Sequence, residues 1–187
     1  MLIPIEPSRF DVEIALAYAT TSNVTNKKIY QHAFCYLHQD AANCLEKAIK
    51  LSATLGYRLK IFDAFRPVEA QWILWNQFPD PNFVADPRKG SPHSRGVAID
   101  LTLINHQQQE LDMGTAFDAF TPLSHHGNLG ISAIAQQNRM ALLGIMTAAG
   151  WDFYRNEWWH YQLFNSRRYP LYQDSAVPKR LMTPIAK

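Results

Sequence analysis

The chain has 187 residues, of which 47% are hydrophobic and 18% charged, and this composition excludes intrinsic disorder and fibrous repeats. The formal net charge of +2 provides too weak a field to predict nucleic-acid binding. Seven His against two Cys indicate that a bound metal would take histidine and carboxylate ligands rather than thiolates. The length is that of one domain, and we predict a single domain over 1–187.

The sequence contains no targeting or membrane-spanning signal. Its N-terminus lacks a basic segment followed by a continuous apolar run, which a signal peptide requires. The most apolar stretch, 140–151, is too short to span a bilayer and is typical of a core helix. We therefore expect a cytoplasmic protein without a membrane partner.

The first third of the chain predicts loops, a helix and a strand. Prolines and polar clusters in 1–30 indicate extended segments and loops. Apolar residues recur at helical spacing over 40–55, where Asp40 is the predicted N-cap and Gly56 follows the C-terminus. Alternation of apolar and basic residues over 57–62 predicts a strand.

The remaining elements complete a pattern of helices grouped beside strands. Pro67 is placed to open the next helix, because proline is tolerated at the first helical position. Composition and periodicity predict a helix over 68–78, a loop over 79–90, a strand over 97–103, a long excursion over 105–130, a helix over 131–149 and a strand over 158–164. This order favours an α+β fold with a mainly antiparallel sheet flanked by helices.

The segment SPHSRGVAID (91–100) holds a first group of polar residues. His93 and Asp100 lie seven residues apart, so on one regular strand they would face opposite sides. Gly96 can break that phase and leave His93 on a loop while Asp100 lies in the strand. The alternative is a solvent-facing Asp100 and an ordinary loop histidine, and this segment alone favours it.

The segment EWWHY (157–161) holds a second group, in which Glu157 precedes His160 by three residues. A zinc hydrolase needs a metal ligand and a nearby carboxylate that takes a proton from water. Trp158, Trp159 and Tyr161 favour an extended chain and would wall such a site. The alternative is an aromatic core strand with Glu157 at its exposed start.

Taken together, the two groups favour a metal site. His93, Asp100 and His160 form a plausible zinc set with the fourth position left for water. The adjacent His125 and His126 compete as ligands, although a polar loop pair fits them better. The other histidines, which have no carboxylate or aromatic context, are His32, His38 and His106.

Arg66 ends a strand and precedes a helix in the segment DAFRP, a corner that can present a side chain over a site. Its guanidinium suits a carboxylate or a developing oxyanion. The alternatives are a surface arginine and a structural ion pair with Asp63.

These residues occur in segments that resemble the VanX-type D-alanyl-D-alanine dipeptidases, zinc peptidases of a wider group that includes D,D-carboxypeptidases and Hedgehog-like domains. The resemblance follows the family's order from Tyr18 to Tyr161. The matching segments are AYAT, DAFRP, SPHSRGVAIDLTL, MGTAFD, SHHG, GIS, QNR and EWWHY. It implies a Hedgehog/DD-peptidase-like fold, and one Zn²⁺ per chain held by His93, Asp100 and His160.

The resemblance also implies roles for the remaining site residues. Glu157 corresponds to the catalytic base and Arg66 to the residue that stabilises the tetrahedral intermediate. The residues that correspond to those holding the ends of the dipeptide are Tyr18, Ser91 and Asp118. Two departures are Pro92, where the family often has Ser, and a loop over 78–90 that looks shorter than in the resistance enzymes.

The expected activity is zinc-dependent hydrolysis of D-Ala-D-Ala, in cell-wall turnover or in antibiotic resistance. The expected partner is a small dipeptide, and a homodimer is compatible with the number of aromatic residues. Two alternatives share the zinc site: a D,D- or L,D-carboxypeptidase acting on longer peptidoglycan peptides, and a non-catalytic zinc-binding module. The presence of Glu157 argues against the second.

Overall fold

Seven strands and three helices follow one another in this computed structural model, which describes residues 1–182; residues 183–187 of the predicted domain lie outside the described residues. The strands are β1 Leu2–Pro4, β2 Val12–Ile14, β3 Tyr36–His38, β4 Arg58–Asp63, β5 Ala98–Ile104, β6 Asp152–Phe153 and β7 His160–Gln162. The helices are α1 Gln39–Thr54, α2 Val68–Gln77 and α3 Ala133–Ala148. Among the three-residue 3-10 helices are Ala17–Ala19, His93–Arg95 and Pro122–Ser124.

A five-stranded sheet in the order β2-β4-β5-β7-β6 organises the fold. Only β2 and β4 run parallel, and the other neighbours in this sheet are antiparallel. Strands β1 and β3 form a separate antiparallel pair. The predicted α+β class with a mainly antiparallel sheet is therefore confirmed.

The central strand β5 is buried along its whole length, on both faces. The alternative of a solvent-facing Asp100 is therefore wrong, since this side chain is only 2% exposed. The neighbouring β4 keeps the predicted alternation at its start, with Leu59 and Ile61 buried between the half-buried Arg58 and Lys60. A buried carboxylate in a central strand requires a compensating charge or metal.

Helix α1 differs from the prediction at its N-terminus and agrees with it at its C-terminus. The N-cap is His38 rather than Asp40, and a His38 ring nitrogen accepts a hydrogen bond from the Asp40 amide. The helix begins at Gln39, so Asp40 lies in its first turn, where a negative charge favours the helix dipole. Gly56 follows the C-cap Leu55 with φ of +78°, as predicted for a left-handed residue after a helix.

Helices α2 and α3 and the last predicted strand are shorter than predicted, whereas β5 has the predicted length. Helix α2 has Pro67 as its N-cap, one position before the first helical residue, and α3 begins after Ser132 rather than at residue 131. The Trp158 amide donates to the Ser124 carbonyl instead of to a neighbouring strand, so the strand predicted from residue 158 begins at His160. Within residues 1–182, no helix is both long and apolar enough to cross a lipid bilayer.

Candidate active site

Strand register and one glycine bring His93, Asp100 and His160 together. Asp100 on β5 lies directly opposite His160 on the antiparallel β7, so the two side chains share one face of the sheet. Gly96, with φ of +66°, turns the chain from the 3-10 helix that carries His93 into β5. The predicted break of phase at Gly96 is confirmed.

The three candidate ligand atoms form a nearly equilateral triangle. His93 Nε2 lies 3.1 Å from His160 Nδ1, and Asp100 Oδ1 lies 3.3 Å and 3.0 Å from these two nitrogens. A tetrahedral zinc with bonds of about 2.0 Å separates its ligand atoms by about 3.3 Å. The spacing therefore fits a metal ion, and these residues are the only group of three such ligands among residues 1–182.

The hydrogen bonds on the far sides of the two rings fix their tautomers. His93 Nδ1 lies 2.7 Å from the Ala64 carbonyl oxygen, which can only accept, so Nδ1 carries the proton. His160 Nε2 lies 3.2 Å from Gln162 Oε1 and donates to it. Neutral rings in these tautomers turn two lone pairs towards each other, an arrangement that a metal cation stabilises.

Glu157 lies beside this triangle, with its Oε2 3.9 Å from His160 Nδ1. The side chain is buried, and the alternative of an exposed position at a strand start is wrong. Burial raises the pKa of Glu157 well above its usual value, and the negative charges of Asp100 and Asp118 add to that rise. A carboxylate with a raised pKa is suited to accept and return a proton near neutral pH.

Arg66 is buried, not a surface arginine, and its guanidinium donates through three nitrogens. Nε donates to Asp63 Oδ2 at 2.8 Å, and Nη1 donates to Gln71 Oε1 at 3.1 Å. Nη2 lies 3.4 Å from Asp100 Oδ2, on the carboxylate whose other oxygen faces the two histidines. Arg66 therefore forms the structural ion pair with Asp63 and at the same time lies beside the candidate metal site.

The residues implied as substrate contacts line the same cavity. Tyr18 Oη donates to Asp118 Oδ1 at 3.1 Å, and a hydrogen bond with the Val24 backbone also holds this carboxylate. Burial raises the pKa of Asp118 to about 7, with Arg66 opposing and Asp100 adding to the rise. Ser91 Oγ accepts a hydrogen bond from the His93 amide at 3.2 Å.

The cavity has a volume of about 170 Å³, below the roughly 300 Å³ at which pockets for drug-sized ligands begin. Of the three aromatic residues expected to wall it, only Trp159 does so, while Trp158 and Tyr161 pack in the core. Tyr154 supplies a further aromatic wall.

The other histidines lie outside the site. His38 caps α1, and His126 packs against Phe153 and Tyr161. Sequence reasoning missed Gln71 and Gln162, which hold Arg66 and His160. Gln162 could have been found, since it lies two residues after His160 and therefore on the same face of the strand.

Three convergent ligand atoms beside a buried carboxylate, in a small cavity, form the arrangement of a metal-dependent hydrolase. A family profile described as D-ala-D-ala dipeptidase matches residues 2–178. The chain therefore belongs to the D-Ala-D-Ala dipeptidase family and is a metallopeptidase.

Individual relatives agree with this assignment. The D-alanyl-D-alanine dipeptidase of Escherichia coli is 46% identical over 164 residues, which cover 88% of this chain and 85% of that protein. The D-alanyl-D-alanine dipeptidase of Enterococcus faecium is 38% identical over 167 residues, covering 78% and 83%. That of Enterococcus faecalis is 35% identical over 181 residues, covering 86% and 90%.

Proposed function

We propose that this protein hydrolyses D-Ala-D-Ala to two D-alanines with one Zn²⁺, held by His93, Asp100 and His160. The observation that supports this proposal is the ligand triangle with Glu157 Oε2 3.9 Å from one of its corners. Family membership supports the dipeptide as substrate, and the cavity volume of about 170 Å³ is consistent with it. Zinc is the metal that two imidazoles, one carboxylate and an open position favour in hydrolases.

The protein residues divide the chemistry among them. When bound, zinc would supply Lewis acidity, which lowers the pKa of water towards neutrality. Glu157 takes the proton of the attacking water at its carboxylate and returns it to the leaving amine. Arg66 donates to the oxygen that becomes negative as the peptide carbonyl is attacked.

The substrate's two charged ends are held by separate groups. Asp118 lines the cavity, and its carboxylate is the group proposed to accept the substrate ammonium. Tyr18 holds one Asp118 oxygen, and Ser91 adds a hydroxyl to the cavity lining. Recognition of both charged ends favours a short peptide, because both charges then lie close to the scissile bond. Cytoplasmic location and homodimerisation stay predictions.

The first experiment compares purified protein with zinc on D-Ala-D-Ala, L-Ala-L-Ala and a D-Ala tripeptide. We expect D-alanine to be released much faster from D-Ala-D-Ala than from either of the other peptides. Preference for the tripeptide would support the carboxypeptidase alternative. Absence of hydrolysis by metal-loaded protein would support a non-catalytic zinc module.

Two variants test the assigned roles. Glu157→Ala should lose nearly all activity while it retains stoichiometric zinc, whereas Glu46→Ala, which removes a surface partner of Arg9, should remain active. Full activity of Glu157→Ala would remove this residue as the base. The double variant His93→Ala/Asp100→Ala should lose the metal, and stoichiometric zinc in that variant would refute the site.

A further inference from the structure

Part of the cavity wall belongs to a segment without regular secondary structure. Residues 79–90 connect α2 to the segment that carries His93, and four of them, Pro81, Phe83, Val84 and Ala85, line the cavity. A tight turn shapes this wall, because the Val84 amide donates to the Asp80 carbonyl at 2.8 Å. With no strand to place it, the wall depends on side chains from the rest of the protein for its position.

Three side chains donate hydrogen bonds to the backbone of this wall. Tyr154 Oη donates to the Asn82 carbonyl oxygen at 3.0 Å, and Gln71 Nε2 donates to the Ala85 carbonyl oxygen at 2.7 Å. Asn156 Nδ2 makes a longer hydrogen bond, of 3.5 Å, to the same Asn82 oxygen. The two acceptors lie three residues apart, so the bonds fix the wall on either side of Phe83 and Val84. Phe83 also stacks on Phe120, at 4.9 Å between ring centroids.

Gln71 connects the wall to the catalytic arginine. Its Oε1 accepts from Arg66 Nη1 at 3.1 Å, while its Nε2 holds Ala85. Because a guanidinium only donates and a backbone carbonyl only accepts, the amide has one orientation that satisfies both partners. The side chain is buried, with 1% exposure, so loss of either bond leaves a polar group without water to replace it.

Tyr154 connects the wall to the catalytic carboxylate. It lines the cavity itself, and its carbonyl oxygen accepts a hydrogen bond from the Glu157 amide at 3.3 Å. Its ring lies edge-on to the His160 ring at 6.1 Å between centroids. The wall is therefore fixed to the same residues that hold the reacting groups.

We propose that Tyr154 and Gln71 determine substrate length: they pin the wall 81–85 against the site so that the cavity accepts two residues and rejects a third. This inference rests on the proposed dipeptidase function and adds to it the residues that enforce the limit. The shortest of these side-chain hydrogen bonds come from Tyr154 and Gln71, so removing either one lets the wall move and the cavity admit a longer chain.

The test uses near-isosteric variants with matched controls. Tyr154→Phe removes only the hydroxyl, and Tyr36→Phe is its control, because Tyr36 Oη also donates to a backbone carbonyl, that of Lys179, outside this cavity. Gln71→Met removes both amide bonds. Gln77→Met is its control, because Gln77 lies on the same helix and donates to the Thr25 carbonyl.

The measured quantity is the ratio of kcat/KM for D-Ala-D-Ala to kcat/KM for D-Ala-D-Ala-D-Ala. We expect Tyr154→Phe to lower this ratio about tenfold, the effect of one uncharged hydrogen bond. Gln71→Met should lower the ratio similarly and also lower kcat, because Arg66 loses an acceptor. Amide hydrogen exchange over 79–90 should become faster in both variants and in neither control.

Several outcomes would overturn the inference. Ratios within twofold of wild type in both variants would do so, as would unchanged exchange over 79–90 or equal changes in the controls. Wild-type protein that hydrolyses D-Ala-D-Ala in preference to the tripeptide, combined with variants of unchanged ratio, would leave the proposed function standing and refute only the pinning role. Wild-type protein inactive on both peptides would refute the proposed function and this inference with it.

Discussion

Replacing Arg66 with lysine separates the positive charge of this side chain from its hydrogen-bonding geometry. The guanidinium donates to Asp63 and Gln71 and approaches Asp100 through three nitrogens on one rigid plane. A lysine keeps the positive charge but carries it on a single nitrogen that cannot reach three separated acceptors. Arg66→Lys therefore preserves the charge balance while it removes the geometry.

The expected magnitudes differ for rate and stability. Loss of one positioned donor to a developing oxyanion lowers kcat by about 10²–10³, equivalent to about 2.7–4 kcal/mol. Loss of hydrogen bonds at constant charge should cost only about 1–3 kcal/mol of folding free energy. Arg66→Met, which leaves the buried Asp63 without its cation, should cost about 3–5 kcal/mol.

The assay measures kcat and KM for D-Ala-D-Ala, the bound metal, and urea unfolding of the same preparations. Arg58→Lys is the matched control, because the partly exposed Arg58 also donates through Nε to an aspartate, Asp11, and through Nη1 to a glutamine, Gln108. We expect that control to keep wild-type kcat. If Arg66→Lys keeps stoichiometric metal and a kcat within threefold of wild type, Arg66 does not stabilise the transition state.

Three further predictions concern stability, measured by urea unfolding. Leu45→Ala, at a fully buried position of α1, should cost about 2–5 kcal/mol. Ser132→Ala removes the α3 cap, in which Ser132 Oγ accepts from the Ala135 amide at 3.0 Å, and should cost about 1 kcal/mol. Burial and the charge of Arg139 lower the pKa of His126 to about 4, so the unfolded chain binds a proton between pH ~6.5 and 4 that the folded protein does not. Stability should therefore fall by up to about 3 kcal/mol as pH falls through that window, and His126→Asn should remove this part of the dependence.

Each of these predictions has a result that contradicts it. A cost below 1 kcal/mol for Leu45→Ala would mean that α1 does not pack into the core as described. An unchanged free energy of unfolding in Ser132→Ala would show that the cap hydrogen bond contributes nothing. An identical pH dependence in His126→Asn and in the exposed-site control His106→Asn would refute the assigned titration.

Local sequence predicted that the candidate ligands converge, because local geometry decides much of their placement. Gly96 adopts the left-handed conformation that frees His93 from the alternation of β5, and the aromatic segment around His160 places it on an adjacent strand. Two interpretations were wrong, the solvent-facing position of Asp100 and the strand start at Trp158. Both depend on contacts with parts of the fold that lie outside the local segment. Strand β5 is central and covered on both faces, which buries Asp100. The Trp158 amide donates a hydrogen bond to the carbonyl oxygen of Ser124, a residue distant in the chain, so Trp158 does not join the strand.

Contacts made by backbone atoms were beyond sequence reasoning altogether. The Ala64 carbonyl fixes the His93 tautomer, and nothing in the alanine side chain indicates that role. The same holds for Asn82 and Ala85, whose carbonyl oxygens accept hydrogen bonds from Tyr154 and Gln71. Such partners depend on the path of the chain through space, so they follow from the fold and not from residue type.

The charges around the cavity explain why these residues are suited to binding a metal ion. Four carboxylates, those of Asp63, Asp100, Asp118 and Glu157, surround a single guanidinium, that of Arg66, so full ionisation leaves an excess of negative charge. Buried charges of one sign are costly unless a counter-charge is supplied. A divalent cation supplies most of it. The rest is met at Glu157 and Asp118, whose pKa values are raised and which are the groups proposed to receive a proton and the substrate ammonium. Although the whole chain is close to neutral, the cavity thus has a local excess of negative charge, which a bound metal ion and the substrate ammonium would together neutralise.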